Sequence, residues 1–302
     1  MGDDCQKIRE AVTNLKKLYS FRGPLHFTDF SNLSSIISIG YLCGRDLCHA
    51  NHIEFYDAAH EEKIKDVPGK VRGCARFYYT EKANYEVMQK LDIPVYLLFD
   101  EEIICHDLAI YTDGNADYKN TSYGTDYNFF NYDIDWETVF DKRCVDKFLK
   151  GKVNELFSIR KQAELLIDEP VSLRRLKNVI FRSPTEYRRA CNLFGKNNMY
   201  RVEPDMFFHD SNYVKDYNIV YNSQSDRNVF IFHFCTCNPV KNDDRHEYRL
   251  YDINDRPLRA VKVNYLGTDK TDFHVEVDCL PCLPVKFKFW FYGVLCIEEI
   301  IG

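Results

Sequence analysis

The feature that most limits what this chain can fold into is a change of texture near residue 203. Beyond Gly195-Lys196-Asn197-Asn198, short runs rich in β-branched and aromatic residues recur between polar turns: Phe207-Phe208, Ile219-Val220-Tyr221, Val229 to Phe234, Tyr248 to Tyr251, Val261 to Tyr265, Phe273 to Val277 and Val285 to Ile297. Runs of this length with polar punctuation read as the strands of a small all-β module. The earlier part mixes helical and strand periods, so two domains are expected, residues 1–203 and a β-rich module over 204–302. At 302 residues and 45% hydrophobic content the chain has enough apolar material for a real core, and Gly and Pro are too sparse for a collagen-like or low-complexity chain.

Before that change, Ile8, Val12, Leu15 and Leu18 have the spacing of an amphipathic helix over residues 4 to 19. A short strand follows at Leu25-His26-Phe27-Thr28, then a helix through Leu33, Ile36 and Ile37 that Ser31 caps and Gly40 stops. The polar stretch from Asn51 to Arg72 is long enough to serve as a lid. Ala75 to Tyr79 and Val95 to Phe99 are β-rich and read as central strands, and the polar Asp113 to Asn131 as a surface loop. Ile159 to Ile167 fits helix or strand equally; Pro170 closes it, and a strand at Leu176 to Phe181 and a helix at Thr185 to Phe194 follow.

A net charge of −6 supplies no global field to hold a polyanion, so any nucleic-acid contact must be local. One local excess exists: Arg174, Arg175, Lys177, Arg182, Arg188, Arg189, Lys196 and Arg201 are opposed only by Glu186, which reads as a solvated face or as a phosphate-binding surface. The 12 cysteines are scattered, mostly inside apolar runs, as small buried hydrophobes of a reducing compartment rather than a disulfide framework. Cys235-Thr-Cys237, Cys279-Leu-Pro-Cys282 and His233 can be drawn as a zinc site. The spacing is not that of a zinc knuckle, and alternation puts His233 and Cys235 on one strand face, so no metal is expected. No apolar run is long enough to span a bilayer, and the start Met1-Gly2-Asp3-Asp4 is acidic where a signal peptide is basic. A soluble, cytoplasmic protein without membrane association is the expectation.

Three constellations carry possible chemistry. His26-Phe27-Thr28 with Asn32 sets polar groups at the end of a strand, where a lone histidine is otherwise a hydrogen-bonded core residue. In Arg76-Phe77-Tyr78-Tyr79 with Lys82, alternation gathers Arg76, Tyr78 and Lys82 on one side, a cation-and-ring set suited to a phosphate and a flat ring. Glu164, with Gln162 before it and Leu165-Leu166-Ile167 after it, is a carboxylate entering an apolar run. Desolvation there raises its basicity, unless it is a surface residue paired with Arg160 or Lys161.

Taken in order, these pieces resemble the DarT-type ADP-ribosyltransferase toxins. The resemblance is carried by Leu25-His26-Phe27-Thr28 through Asn32-Leu33 to Gly40-Tyr41-Leu42, by Ala75-Arg76-Phe77-Tyr78-Tyr79 with Pro94 to Asp100, and by Arg160-Lys161-Gln162-Ala163-Glu164-Leu165-Leu166 with Ile180-Phe181-Arg182-Ser183 and Glu186. It covers roughly residues 22 to 195, and the tail from Met206 looks like the β-rich extension of some members. It implies an α+β ADP-ribosyltransferase fold, two small sheets around an NAD cleft with flanking helices, plus the C-terminal all-β module. It also implies NAD as co-substrate, with no metal. His26 and Thr28 would hold the nicotinamide end, Phe27, Asn32, Tyr78 and Gln162 would complete the cofactor pocket, and Glu164 would be the catalytic carboxylate. Many relatives have Arg where this chain has Lys82, while Arg76 matches a basic position of one branch, so either cation would serve the pyrophosphate. The nucleic-acid contacts would come from Arg174, Arg175, Arg182, Arg188 and Arg189. The implied function is transfer of ADP-ribose to a base of single-stranded DNA, as a toxin of a toxin-antitoxin or phage-defence system. The antitoxin would be an ADP-ribosyl hydrolase or an inhibitory protein. The alternatives are modification of RNA bases and a non-catalytic NAD- or nucleic-acid-binding module.

Overall fold

A computed structural model of the chain describes residues 2–58, 71, 73–142, 152–208, 211–221, 229–241, 243, 245–263, 270–278 and 283–302. Residues 59–70, the middle of the stretch read as a lid, and Cys279 and Cys282 of the zinc reading lie outside the described residues. The chain divides into two compact units, Met1–Ile180 and Phe181–Gly302.

The first unit runs α1 (Gly2–Tyr19), β1 (Leu25–Asp29), α2 (Leu33–Ile39), β2 (Tyr41–Leu42), α3 (Arg45–Ala50), β3 (Ala75–Tyr78), α4 (Tyr85–Met88), β4 (Pro94–Phe99), β5 (Ala109–Thr112), β6 (Tyr123–Gly124), α5 (Trp136–Val139), α6 (Lys152–Lys161), β7 (Glu164–Ile167), β8 (Val171–Ser172) and β9 (Leu176–Phe181). Its main sheet follows the order β9-β4-β1-β3-β7-β5-β6, while β2 and β8 form a separate pair. All six residues of β4 are buried, as a central strand with both faces covered requires. Helix α1 buries Ile8, Val12 and Leu15, but Leu18 is 72% exposed. Another three-residue step has rotated it off the apolar stripe, correcting the inward position read from spacing.

Two local readings are revised by hydrogen bonding. The turn that leads into α2 is capped by Asp29 rather than Ser31: Asp29 Oδ1 accepts the Ser31 amide at 2.9 Å and the Ser31 hydroxyl at 2.7 Å. Gly40 ends α2 in the left-handed conformation, φ 78°, as expected. The ambiguous segment 159–167 is both helix and strand. Its last helical turn tightens through Gln162 N–H to Ile159 O and Ala163 N–H to Arg160 O, both 3.1 Å, before Glu164 opens β7. Glu164 through Ile167 are all buried, so no single face could give the run a period.

The second unit contains α7 (Pro184–Phe194), β10 (Tyr200–Val202), β11 (Val214–Tyr221), β12 (Val229–Thr236), β13 (Glu247–Tyr251), β14 (Pro257–Lys262), β15 (Asp272–Asp278), β16 (Val285–Phe291) and β17 (Val294–Ile301). Strands β11-β12-β15 form one sheet and β14-β13-β16-β17 another. Phe232, Phe287 and Phe289 are fully buried in its core. His233 and Cys235 alternate with buried Phe232 and Phe234 and share the outer face of β12. Phe207-Phe208 is not a strand; Phe207 is buried directly after the turn Pro204–Met206. Helix α7 belongs to this unit because Arg189 Nη1 donates to Leu295 O at 2.5 Å and Asn192 Nδ2 to Glu298 O at 2.9 Å, which puts the division ahead of residue 203.

Candidate active site

A cleft of about 230 Å³ opens in the first unit between β1 and β3 on one side and α2, α3 and residues 53–58 on the other. Its floor depends on a close approach of two chain segments, since a Cβ on Gly44 would lie 1.7 Å from the carbonyl oxygen of Gly73. His26, Phe27, Thr28, Asn32, Arg76 and Tyr78 all line this cleft. Six of the residues singled out in the sequence are therefore gathered by the topology.

His26 Nδ1 lies 2.9 Å from the carbonyl oxygen of Arg76. A carbonyl only accepts, so Nδ1 carries the proton and Nε2 of the neutral ring is an acceptor. Burial holds the imidazole below its ordinary pKa, against the pull of that hydrogen bond. Thr28 Oγ1 accepts from Asn32 Nδ2 at 2.9 Å, which leaves the hydroxyl proton to donate elsewhere. Asn32 also clamps the facing wall: its Nδ2 donates to Tyr56 O at 3.0 Å, and its Oδ1 accepts the Tyr56 amide at 2.6 Å. Asn32 is thus a support for residues 53–58. Phe27 and Tyr78 stack at 5.3 Å between ring centroids, so the two rings form one apolar wall.

The strand register sets the charged part of the site. Tyr78 pairs with Glu164 across β3 and β7, and Arg76 with Leu166, so Arg76, Tyr78 and Glu164 share a sheet face. Arg76 Nη1 lies 2.7 Å from Asp117 Oδ1 and 3.8 Å from Glu164 Oε2. Burial opposes the guanidinium charge, but Glu164 and Asp117 outweigh it and hold Arg76 protonated more firmly than a free arginine. Glu164 is fully buried, and the Ala116 amide and the Tyr78 hydroxyl approach its carboxylate without completing a regular hydrogen bond. Burial pushes its carboxyl up from 4.5 to about 7, and the neighbouring Arg76 limits the rise. The pairing with Arg160 or Lys161 that would make Glu164 a surface residue does not occur; Arg160 pairs with Asp135 at 3.4 Å. A carboxylate in so dry a position, with its oxygens only weakly held, is suited to meeting a positive charge that develops beside it.

The sequence reading missed Asp117 because the stretch beginning at Asp113 is not a surface loop throughout. Asn115, Ala116 and Thr121 are buried. Gly114 is pressed against α6, where a Cβ would lie 2.7 Å from Ile159 Cγ2. Asn115 Nδ2 donates to Gln162 Oε1 at 2.6 Å, and Asn115 Oδ1 accepts the Asp117 amide at 2.9 Å. Gln162 Nε2 donates to Ser158 O at 3.1 Å. Gln162 is therefore buried in the scaffold that carries Asp117, away from the cleft wall, correcting its place in the cofactor pocket. Thr112 Oγ1 accepts the Glu164 amide at 2.7 Å and donates to Gly114 O at 2.6 Å, which ties β7 to the same loop.

The two candidate cations separate. Lys82 sits in the turn after β3 with φ 57°, its amide donating to Tyr96 Oη at 2.9 Å, and is not among the described residues lining the cleft. Arg76 lines it, and so does Arg45 of α3, which the sequence reading did not single out; its Nη2 is 2.8 Å from Asp57 Oδ1. The basic run also divides by environment. Arg174 and Arg175 are exposed in the first unit. Arg182 is only 4% exposed: its Nε and Nη2 grip Glu186 Oε1 at 2.9 and 2.7 Å, and its guanidinium lies over the Tyr213 ring. Arg188 pairs with Asp216 and covers the Tyr217 ring, and Arg189 holds the Leu295 carbonyl. Arg182 is therefore a packing residue of the second unit, which corrects its reading as a phosphate contact; Arg189 is engaged by the Leu295 carbonyl, and Arg188 stays half-exposed at the surface.

Residues 25–208, more than half of the chain, match the family described as ssDNA thymidine ADP-ribosyltransferase, DarT. No curated protein matches the chain by sequence. Among solved structures, the chain is similar to Thermus sp. 2.9 DarT in complex with ADP-ribosylated ssDNA, at 14% identity over 63% of this chain and 97% of that one, with a TM-score of 0.51. It is likewise similar to the same Thermus protein in complex with carba-NAD+, at 13% identity over 61% and 97%, with a TM-score of 0.50. These likenesses show a shared fold. The match over residues 25–208 takes in β1, β3 and β7, the three strands that carry His26, Arg76 and Glu164, and the chain belongs to the DarT family of single-stranded-DNA thymidine ADP-ribosyltransferases.

Proposed function

We propose that this chain transfers ADP-ribose from NAD to thymidine in single-stranded DNA, using the cleft between β1 and β3. The observation that carries the reading is the juxtaposition of the fully buried Glu164 carboxylate with Arg76, on the sheet that also presents His26 and Thr28. Cleaving the nicotinamide–ribose bond builds positive charge on the ribose, as in glycoside cleavage. Glu164 meets that charge. The Thr28 hydroxyl as donor and His26 Nε2 as acceptor match the two ends of a carboxamide such as that of nicotinamide. The Phe27–Tyr78 wall suits a flat ring, and Arg76 the anionic diphosphate. A base inside a duplex hides its ring nitrogens, so a single strand is the cheaper acceptor by a few kcal/mol.

Several finer assignments accompany this reading. The exposed Arg174 and Arg175 track the phosphate backbone. No described helix is long and apolar enough to cross a membrane. The chain works in the cytoplasm, where DNA is its target, and an antitoxin that hydrolyses the product or inhibits the enzyme keeps it in check. The test is nucleoside mass spectrometry of a single-stranded oligonucleotide after incubation with the protein and NAD. The expected result is free nicotinamide together with thymidine heavier by one ADP-ribosyl group. Labelling of RNA alone would refute the choice of acceptor, and NAD binding without nicotinamide release would refute the reaction.

A further inference from the structure

Resting on the transferase reading above, we infer that Asp117 is the general base that takes the proton from the acceptor. Three observations point to it. Glu164 is fully buried and is not among the described residues lining the cleft, and Arg76 contacts both it and the cleft-facing Asp117, so an acceptor entering the cleft reaches Asp117 and not Glu164. Asp117 lines the cleft with its side chain 29% exposed, so an incoming base meets its carboxylate first. Its position is fixed from behind by buried groups, through Asn115 and Gln162 to α6, with the rigidity that proton transfer between positioned atoms requires. Two carboxylates that share one guanidinium, one dry and one facing the cleft, are thereby given different tasks.

The acceptor chemistry requires such a base. Thymine in a nucleotide has a single N–H, on its ring, and that nitrogen is a poor nucleophile until the proton leaves. In the assigned step the bond from the ring nitrogen to ribose C1 forms as the bond from C1 to nicotinamide breaks. Nicotinamide departs as a neutral base with the bonding pair. The N–H proton passes to a carboxylate oxygen of Asp117, and its electron pair stays on the thymine. Asp117 then releases the proton to water.

The experiment compares two single-stranded oligonucleotides that differ at one position, thymidine against 5-trifluoromethyl-2′-deoxyuridine. The second keeps a methyl-sized group, but its fluorines acidify the ring N–H, so it needs less help from a base. The wild-type protein should use the two within roughly threefold of each other, whereas Asp117→Asn should slow transfer to thymidine by ~100-fold and to the trifluoromethyl strand by no more than ~10-fold. Calorimetric titration with NAD reports whether the variant's cleft is intact, and Asp117→Ser replaces it if Asp117→Asn fails that check. Equal slowing on both strands would mean that Asp117 only holds Arg76, and unimpaired transfer to thymidine would mean that it does nothing; either overturns the inference while leaving the transferase reading in place. A wild-type protein that modifies neither strand would instead overturn that reading, and the assignment of Asp117 with it.

Discussion

Replacing Glu164 with Gln is expected to abolish transfer and, at pH 8, to stabilise the protein. An unfolded glutamate loses its proton near 4.5, whereas the buried Glu164 keeps it up to about 7. Between those values the folded chain binds more protons than the unfolded chain, so stability is full below about 4.5 and falls as pH rises to about 7. At about 1.4 kcal/mol for each pH unit, the loss reaches roughly 3 kcal/mol above neutrality. Gln has no charge to bury and escapes the loss, so the variant should match wild type near pH 4.5 and exceed it by up to ~3 kcal/mol at pH 8. Urea unfolding followed by amide hydrogen exchange in β3 and β7 reads the first unit directly. Transfer should fall by ~100-fold or more, because the charge that offsets the developing cation is gone. A variant whose stability tracks wild type at both pH values would show that Glu164 ionises as an ordinary surface carboxylate. Transfer near the wild-type rate would remove it from catalysis altogether.

Other outcomes follow from the same geometry. Arg76→Lys keeps the charge but loses the planar fork, and should raise the KM for NAD by ~10-fold in steady-state nicotinamide release; Lys82→Ala, outside the cleft lining, should leave KM within about twofold. Thr112→Val preserves shape but strands the buried Glu164 amide, and should cost ~1–3 kcal/mol in urea unfolding. Arg182→Met leaves Glu186 buried and uncompensated, and should cost ~3–5 kcal/mol, while the salt dependence of DNA binding stays as in wild type. The double change of Arg174 and Arg175 to Ala should do the reverse, lowering the logarithmic salt slope of single-strand binding by ~0.7 for each phosphate that is no longer neutralised, with no change in unfolding.

The elements that carry His26, Arg76 and Glu164 were legible in the sequence because each is a short local pattern. β1 is bounded by Gly23-Pro24 and by the helix that Gly40 ends, β3 is a compact β-rich run, and Glu164 opens an apolar stretch. Local pattern also sufficed for most of the C-terminal strands, whose alternation is plain in β12 and β16. Asp117 was not legible, because it lies on a polar stretch whose composition says loop and whose burial is decided by distant partners on α6. The one signal was Gly114-Asn115 between Thr112 and Thr121, small polar groups able to satisfy a buried backbone; it gains meaning only once Gln162 is seen to meet Asn115.

The basic run shows why charge is the least readable property of a sequence like this one. Counting along the chain set eight cations against one acid, yet Arg182 and Glu186 are four residues apart at the start of α7, a spacing at which the two side chains meet. Burial then decides what the meeting does. At the surface such a pair contributes about 0–1 kcal/mol and leaves the arginine available to a phosphate. Inside, with Tyr213 over the guanidinium and the carboxylate held by two of its nitrogens, releasing Arg182 to a ligand would strand Glu186 at a cost of several kcal/mol, more than one exposed phosphate would return. Arg189 is likewise engaged, by the Leu295 carbonyl, whereas the Arg188–Asp216 pair lies at the surface and, like the exposed Arg174 and Arg175, has no such cost to overcome. If single-stranded DNA is gripped by cations from this run, the exposed Arg174 and Arg175, and Arg188 at the surface, can reach a phosphate without stranding a buried acid, as Arg182 cannot.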